Sequence, residues 1–144
     1  MPIGNVILVA VDFEQASEKA LELAKELCGK LGCELTLVHV YQLPIYTYPG
    51  LEPAVLPGLQ NEITGAAKRA LDQLADKHGV PRAILREGDP ATEILATIEE
   101  IHPKLAVVGT HGRRGLTHLF LGSVAEKVVR RSTAPVLTVR TEGR

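Results

Sequence analysis

Between residues 107 and 123 the chain reads VVGTHGRRGLTHLFLGS. Gly109 and Gly112 end a short apolar run, Arg113 and Arg114 precede Gly115, and Gly122-Ser123 stands where a helix can begin. A tight turn needs one or two glycines. A backbone that must lie against a phosphate needs more, because each missing Cβ lets main-chain N–H groups approach the anion. A helix opening at Ser123 adds unpaired N–H groups and the positive end of its dipole. Arg113 and Arg114 can neutralise outer phosphate charge, and His111 inside the loop can donate to a phosphate oxygen. The pattern is a phosphate cradle without a catalytic lysine.

Plainer chemistry competes for two of these residues. Ser123-Val124-Ala125-Glu126 matches a capping box, in which Ser123 and Glu126 would satisfy the helix's own amides. Asp12 could likewise cap the first helix. Other nucleotide motifs are excluded. The turn after the first strand, Val11-Asp12-Phe13-Glu14, has no glycine and so is not the dinucleotide fingerprint, and no G-x-x-x-x-G-K-[ST] occurs. His39, His78 and His102 read as structural or solvent residues. No Ser-His-Asp or Cys-His arrangement and no paired carboxylates stand out. The chain points to binding rather than turnover, with a slow ATPase or nucleotide transferase as the enzymatic alternative.

These residues need a scaffold. Asn5–Val11 is an aliphatic run of the kind that forms a parallel strand buried on both faces. A helix follows from Glu14 to Leu31, with Ala16, Ala20, Leu23, Ala24, Leu27 and Leu31 on its inner face and Gly32 as its stop. Glu34–Val40 is the second strand, Leu59–His78 a helix turning Ala66, Ala67, Ala70, Leu71 and Leu74 inward, and Pro81–Glu87 the third strand. Asp89-Pro90 opens a helix as N-cap and first-turn proline. Lys104–Gly109, the helix Ser123–Arg131 and the strand Pro135–Arg140 complete the series. Strands alternating with helices imply a single doubly wound α/β domain over residues 1–144, with a five-stranded parallel sheet and helices on both faces. Ligands of such sheets sit at the carboxyl ends of the strands, where the winding reverses.

Tyr41–Gly58 breaks the pattern. It holds Pro44, Pro49, Pro53, Pro57 and all three tyrosines, and reads either as a flap beside a site or as a surface excursion. The terminal strand Pro135–Arg140 reads as a sheet edge, which invites pairing with a second copy; cover by the chain's own tail is the alternative.

The composition sets the outer bounds. With 144 residues, 45% hydrophobic and 23% charged, the chain suits one globular domain, and 3% aromatic with no Trp makes its core aliphatic. Sixteen basic against 17 acidic residues leave a net charge of -1, which argues against nucleic acid or anionic membranes as partners. No run approaches membrane-helix length and no leader pattern is present, so the expected compartment is the cytoplasm. Cys28 and Cys33 are too few for a disulfide framework and read as buried thiols.

The spacing Gly109-x2-Gly112-x9-Gly122-Ser123 resembles the nucleotide-binding signature of the universal stress protein family. The resemblance extends over the whole chain: Ile7–Asp12, Leu37–Val40, Val107–Gly112 and Ala134–Val139 each resemble a family strand. It implies a strand order 3-2-1-4-5, a homodimer formed through Pro135–Arg140, and ATP as ligand in one branch, with Mg or Mn on the phosphates. It would set the adenine against Val40 and Ala10, and the ribose against Asp12 and Gly109. Thr110, His111, the segment Gly112, Arg113, Arg114, Gly115, and the amides of Gly122, Ser123 and Val124 would surround the phosphates. Two positions depart from the family pattern: Glu14, where relatives often carry a small hydroxyl residue, and Ala10, where some carry proline. The implied function is a nucleotide-dependent stress or signalling module; a dimeric interaction module that uses no nucleotide is the alternative.

Overall fold

The computed structural model describes residues 4–56, 58–110 and 122–140. Strands β1 (Val6–Ala10), β2 (Glu34–Tyr41), β3 (Arg82–Glu87), β4 (Leu105–Thr110) and β5 (Val136–Arg140) alternate with helices α1 (Gln15–Leu31), α2 (Leu59–His78), α3 (Pro90–Ile101) and α4 (Ser123–Arg131). All strand pairs are parallel, in the order β3-β2-β1-β4-β5. The expected strand order and doubly wound class are therefore present. Element ends differ from the sequence reading by one residue in most strands; β3, for example, begins after Pro81, whose nitrogen has no hydrogen to donate.

Because β1 is central, successive residues feed two different cores. Ile7, Val9 and Val11 pack with Ala20, Leu21 and Ala24 of α1 and with Leu71 and Leu74 of α2. Leu8 packs with Ile94 and Ile98 of α3 and with Ala125 and Val128 of α4. Burying each large aliphatic side chain contributes about 1.5–3 kcal/mol. Two helix faces are rotated slightly from the expected ones. Leu21 is fully buried while Leu31, directly before the stop, is 51% exposed; on α2, Ala66 is exposed and Ala75 is buried. Cys28 and Cys33 are half-buried rather than buried, since both lie where α1 leaves the sheet.

Helix ends follow local chemistry. Gly32 adopts φ 69°, the left-handed conformation that ends α1. Asp89 caps α3 as expected, accepting from Thr92 N–H at 3.0 Å and from the Thr92 hydroxyl at 2.8 Å. These bonds hold its carboxyl below the usual carboxylate range. The expected capping box on α4 is absent. Gly122 is the N-cap, Ser123 is the first helical residue, and Glu126 pairs with Arg130 instead of reaching back. Asp12 is not the N-cap of α1 either; that position is Glu14.

Candidate functional site

Strand order reverses between β1 and β4, and at their carboxyl ends lies a cavity of about 230 Å³. That is many times the roughly 10–15 Å³ that a single water needs. Its walls divide by character. Ala10, Val38, Val40 and Val108 close the sheet side, and Ile94 and Pro90 of α3 close another. Asp12, Ser17, Gly109, Gly122 and Ser123 bring polar groups to it, with Val124 and Ala125 beside them.

The β1–α1 turn is tied down by its own atoms. Asp12 N–H donates to the Ser17 hydroxyl at 3.2 Å, the hydroxyl donates to the Glu14 carbonyl at 3.1 Å, and Glu14 N–H donates to Asp12 Oδ1 at 3.0 Å. Phe13 between them has φ 66°, a left-handed conformation that is costly for a bulky side chain. It is held there by His39, whose ring lies 4.4 Å away and whose Nδ1–H donates to the Val11 carbonyl at 2.7 Å. His39 thus has the structural role its strand position suggested. The turn fixes the Asp12 carboxylate at the cavity rim, whereas Glu14 is not part of the wall.

The two ends of the cavity differ in what their helices offer. The first amides of α3 are answered by Asp89. At α4 the N-cap is a glycine, and among the described residues no side-chain cap bond forms. The amide end and positive dipole of α4 therefore open towards the cavity through Gly122, Ser123 and Val124. A Cβ placed on Gly122 meets nothing within 4 Å among the described residues, so none of them fixes glycine at that position by packing.

Gly109 behaves differently from expectation. A Cβ there would lie 2.6 Å from the Ala16 carbonyl carbon and oxygen and 2.9 Å from Ser17 N. The glycine is required by the close passage of α1 over β4, and the missing side chain faces that helix rather than a ligand. Its backbone still forms part of the cavity wall.

Of the sequence-derived candidates, Ala10, Asp12, Val40, Gly109, Gly122, Ser123 and Val124 meet at this cavity. Thr110 does not; it is buried and its hydroxyl reaches the Val139 carbonyl at 3.5 Å. His111, Gly112, Arg113, Arg114 and Gly115 lie outside the described residues. Ser17, Val38, Pro90 and Ile94 were missed. Ser17 and Ile94 carried only a helix-face signal, and nothing in the sequence brings α3 to β1. Among the described residues no group of three or more His, Cys, Asp or Glu could hold a metal ion. A divalent ion here would need ligand oxygens for most of its shell.

The universal stress protein family model matches residues 5–140. The chain belongs to that family. Universal stress protein YxiE of Bacillus subtilis is 35% identical, with 94% of this chain and 99% of that protein aligned. A solved structure of MJ0577 from Methanocaldococcus jannaschii, described as a structure-based assignment of biochemical function, is 25% identical with a TM-score of 0.75. It covers 96% of this chain and 97% of that one. A universal stress protein solved in complex with cAMP shares the fold at 24% identity and a TM-score of 0.63, covering 93% of this chain and 94% of its own. No helix among the described residues is long and apolar enough to cross a membrane.

Proposed function

We propose that this family member binds ATP in the cavity between β1, β4, α3 and α4, and uses occupancy of that site to signal. The observation that carries the reading is the amide end of α4, which no side chain of the described residues caps, facing a cavity whose opposite wall is aliphatic. A flat base suits Ala10, Val38 and Val40; ribose hydroxyls suit the Asp12 carboxylate; an anion suits the amides of Gly122, Ser123 and Val124. In the sequence His111, Gly112, Arg113, Arg114 and Gly115 follow β4, and glycines with cations among them suit a polyphosphate better than a nucleoside. Mg or Mn would enter on the phosphates. The fold-level neighbour solved with cAMP supports an adenine compound as the ligand class. The assignment is of binding, in the cytoplasm, with any hydrolysis slow.

The test is direct. Protein purified without added nucleotide is denatured and its supernatant chromatographed, and refolded or stripped protein is titrated calorimetrically with Mg-ATP. An adenine nucleotide in the supernatant and a saturating heat are expected. A supernatant without nucleotide together with a flat titration refutes the reading.

A second reading has its own observation. The segment between β2 and α2 folds on itself through a Tyr46–Ala54 bridge and exposes Tyr48 at 72% and Leu51 at 70%, yet none of its described residues lines the cavity wall. Such apolar exposure suits a protein contact. Pull-downs with and without ATP separate the two readings. Partners indifferent to nucleotide favour the interaction module. In either case we assign homodimerisation to the edge of β5, which among the described residues pairs only with β4.

A further inference from the structure

The two cysteines lie at the opposite end of the sheet from the cavity, where α1 ends and β2 begins. There the N–H groups of Gly32 and Cys33 both donate to the Cys28 carbonyl, at 2.9 and 3.1 Å. This is a helix ending in which the residue after the left-handed one bonds back five positions, and the two side chains so related meet. In this chain both are cysteine.

The distances allow a bond between them. Standard geometry puts the Cys28 Cα about 2.4 Å from its carbonyl oxygen and the Cys33 Cα about 1.5 Å from its nitrogen. With 3.1 Å between oxygen and nitrogen, the two Cα atoms are at most about 7 Å apart if everything is in line. Any bend brings them into the range of about 4.4–6.8 Å that disulfides span. Asn5 pins the turn: its Nδ2 donates to the Gly32 carbonyl at 2.8 Å, its carbonyl accepts from Glu34 N–H at 3.0 Å, and its Oδ1 accepts from the Cys33 thiol at 3.4 Å. Both cysteines pack against the same core cluster and both remain half-exposed.

We infer that Cys28 and Cys33 are a reversible dithiol–disulfide pair, a redox-modification site oxidised by hydrogen peroxide. Cys33 reacts first. Burial and the adjacent Cys33 push the Cys28 thiol up, so its thiolate forms less readily. The Cys33 thiolate attacks one peroxide oxygen, the O–O bond breaks, and hydroxide leaves to become water, giving a sulfenic acid. Cys28 then loses its proton and attacks the Cys33 sulfur; the S–O bond breaks and a second water departs. Two thiols and one peroxide become one disulfide and two waters, and a dithiol reductant reverses the change. The product would staple the end of α1 to the start of β2.

The full-length protein is treated with hydrogen peroxide, alkylated with N-ethylmaleimide, digested with trypsin and weighed. Both thiols should be lost together in a monomeric chain, with a decrease of about 2 Da that dithiothreitol reverses. Cleavage after Lys30 should leave residues 26–30 linked to residues 31–68. In Cys28→Ser, Cys33 should accumulate as a sulfenic acid trapped by dimedone; in Cys33→Ser, the remaining thiol should react at least about tenfold more slowly than the pair does in wild type. Wild-type Cys33 passing to sulfinic acid beside an intact Cys28 thiol, or linkage only between chains, overturns the inference. Because the site is remote from the cavity, nucleotide binding can fail without affecting this result, and the reverse also holds.

Discussion

Replacing Gly109 with alanine separates two explanations for the same glycine. If the residue were there to admit a ligand, Gly109→Ala would leave stability intact and weaken binding. The structure gives the other answer, because the new Cβ would sit 2.6 Å from the Ala16 carbonyl carbon and oxygen. Ordinary contacts are about 3.5–4.0 Å, so α1 must move by about 1 Å relative to β4. Neither partner yields easily: β4 lies between β1 and β5, and α1 is held by the buried Ala16, Ala20 and Ala24. Overpacking of this kind costs about 3 kcal/mol, which for a chain of this size lowers Tm by about 9 °C. Urea unfolding followed by circular dichroism measures it. Ala16→Gly should not rescue the variant, since the clash is with main-chain atoms rather than the Ala16 methyl. A midpoint unchanged to within about 0.5 kcal/mol, or full rescue by Ala16→Gly, would show that the packing argument is wrong.

The remaining expectations concern other parts of the molecule. Gly122→Val adds a side chain that meets no described residue at its Cβ, at a residue with an ordinary φ of -56°, so ATP affinity should fall at least about tenfold at a stability cost of about 1 kcal/mol; calorimetry showing wild-type affinity would remove the α4 amide end from the site. Thr138→Pro should give monomers by light scattering while the fold survives. Pro135 carbonyl accepts from Ala106 N–H at 2.9 Å, so by alternation Thr138 N–H points away from β4 to the open edge; a persistent dimer would place the interface elsewhere. The carboxyls of Asp89 and Glu100 are held low, by Thr92 and by the Arg86 guanidinium respectively. The unfolded chain therefore takes up these protons first as pH falls, and their stabilisation is complete above about pH 4.5 and lost below it. Asp89→Ala should accordingly destabilise the protein at pH 7 and much less at pH 3, where equal penalties would contradict the capping role. His78, lowered by burial and by Lys25 and Lys77, resists its proton in the folded state, so stability should also decline as pH drops below about 6.5, and His78→Gln should flatten that decline.

Much of this protein can be read from its chain because its signals are local. An aliphatic run such as Val6–Ala10 makes sense only as a strand covered on both sides, and Asp89-Pro90 starts α3 with atoms three residues apart. Periodicity sets the helices, and alternation of strand and helix leaves few ways to wind the sheet. The helix faces were legible to within part of a turn, which is why Leu21 and Leu31 exchanged places.

The tertiary structure decided what depends on residues far apart. Ser123 and Glu126 match a capping box by spacing, yet Glu126 turns to Arg130, and among the described residues no side chain caps the amide end of α4 beside the cavity. Gly109 belongs to a phosphate-binding pattern in sequence, but what forbids a side chain there is the backbone of Ala16, 93 residues earlier in the chain. Phe13 takes a left-handed conformation because His39 and Val11 meet beside it, and no neighbouring residue announces this. Spacing fixes which groups are available along a helix or strand. Which of them face a cavity is settled only when β1 and β4 lie side by side and α1, α3 and α4 close over them, because burial and steric exclusion act through space rather than along the chain.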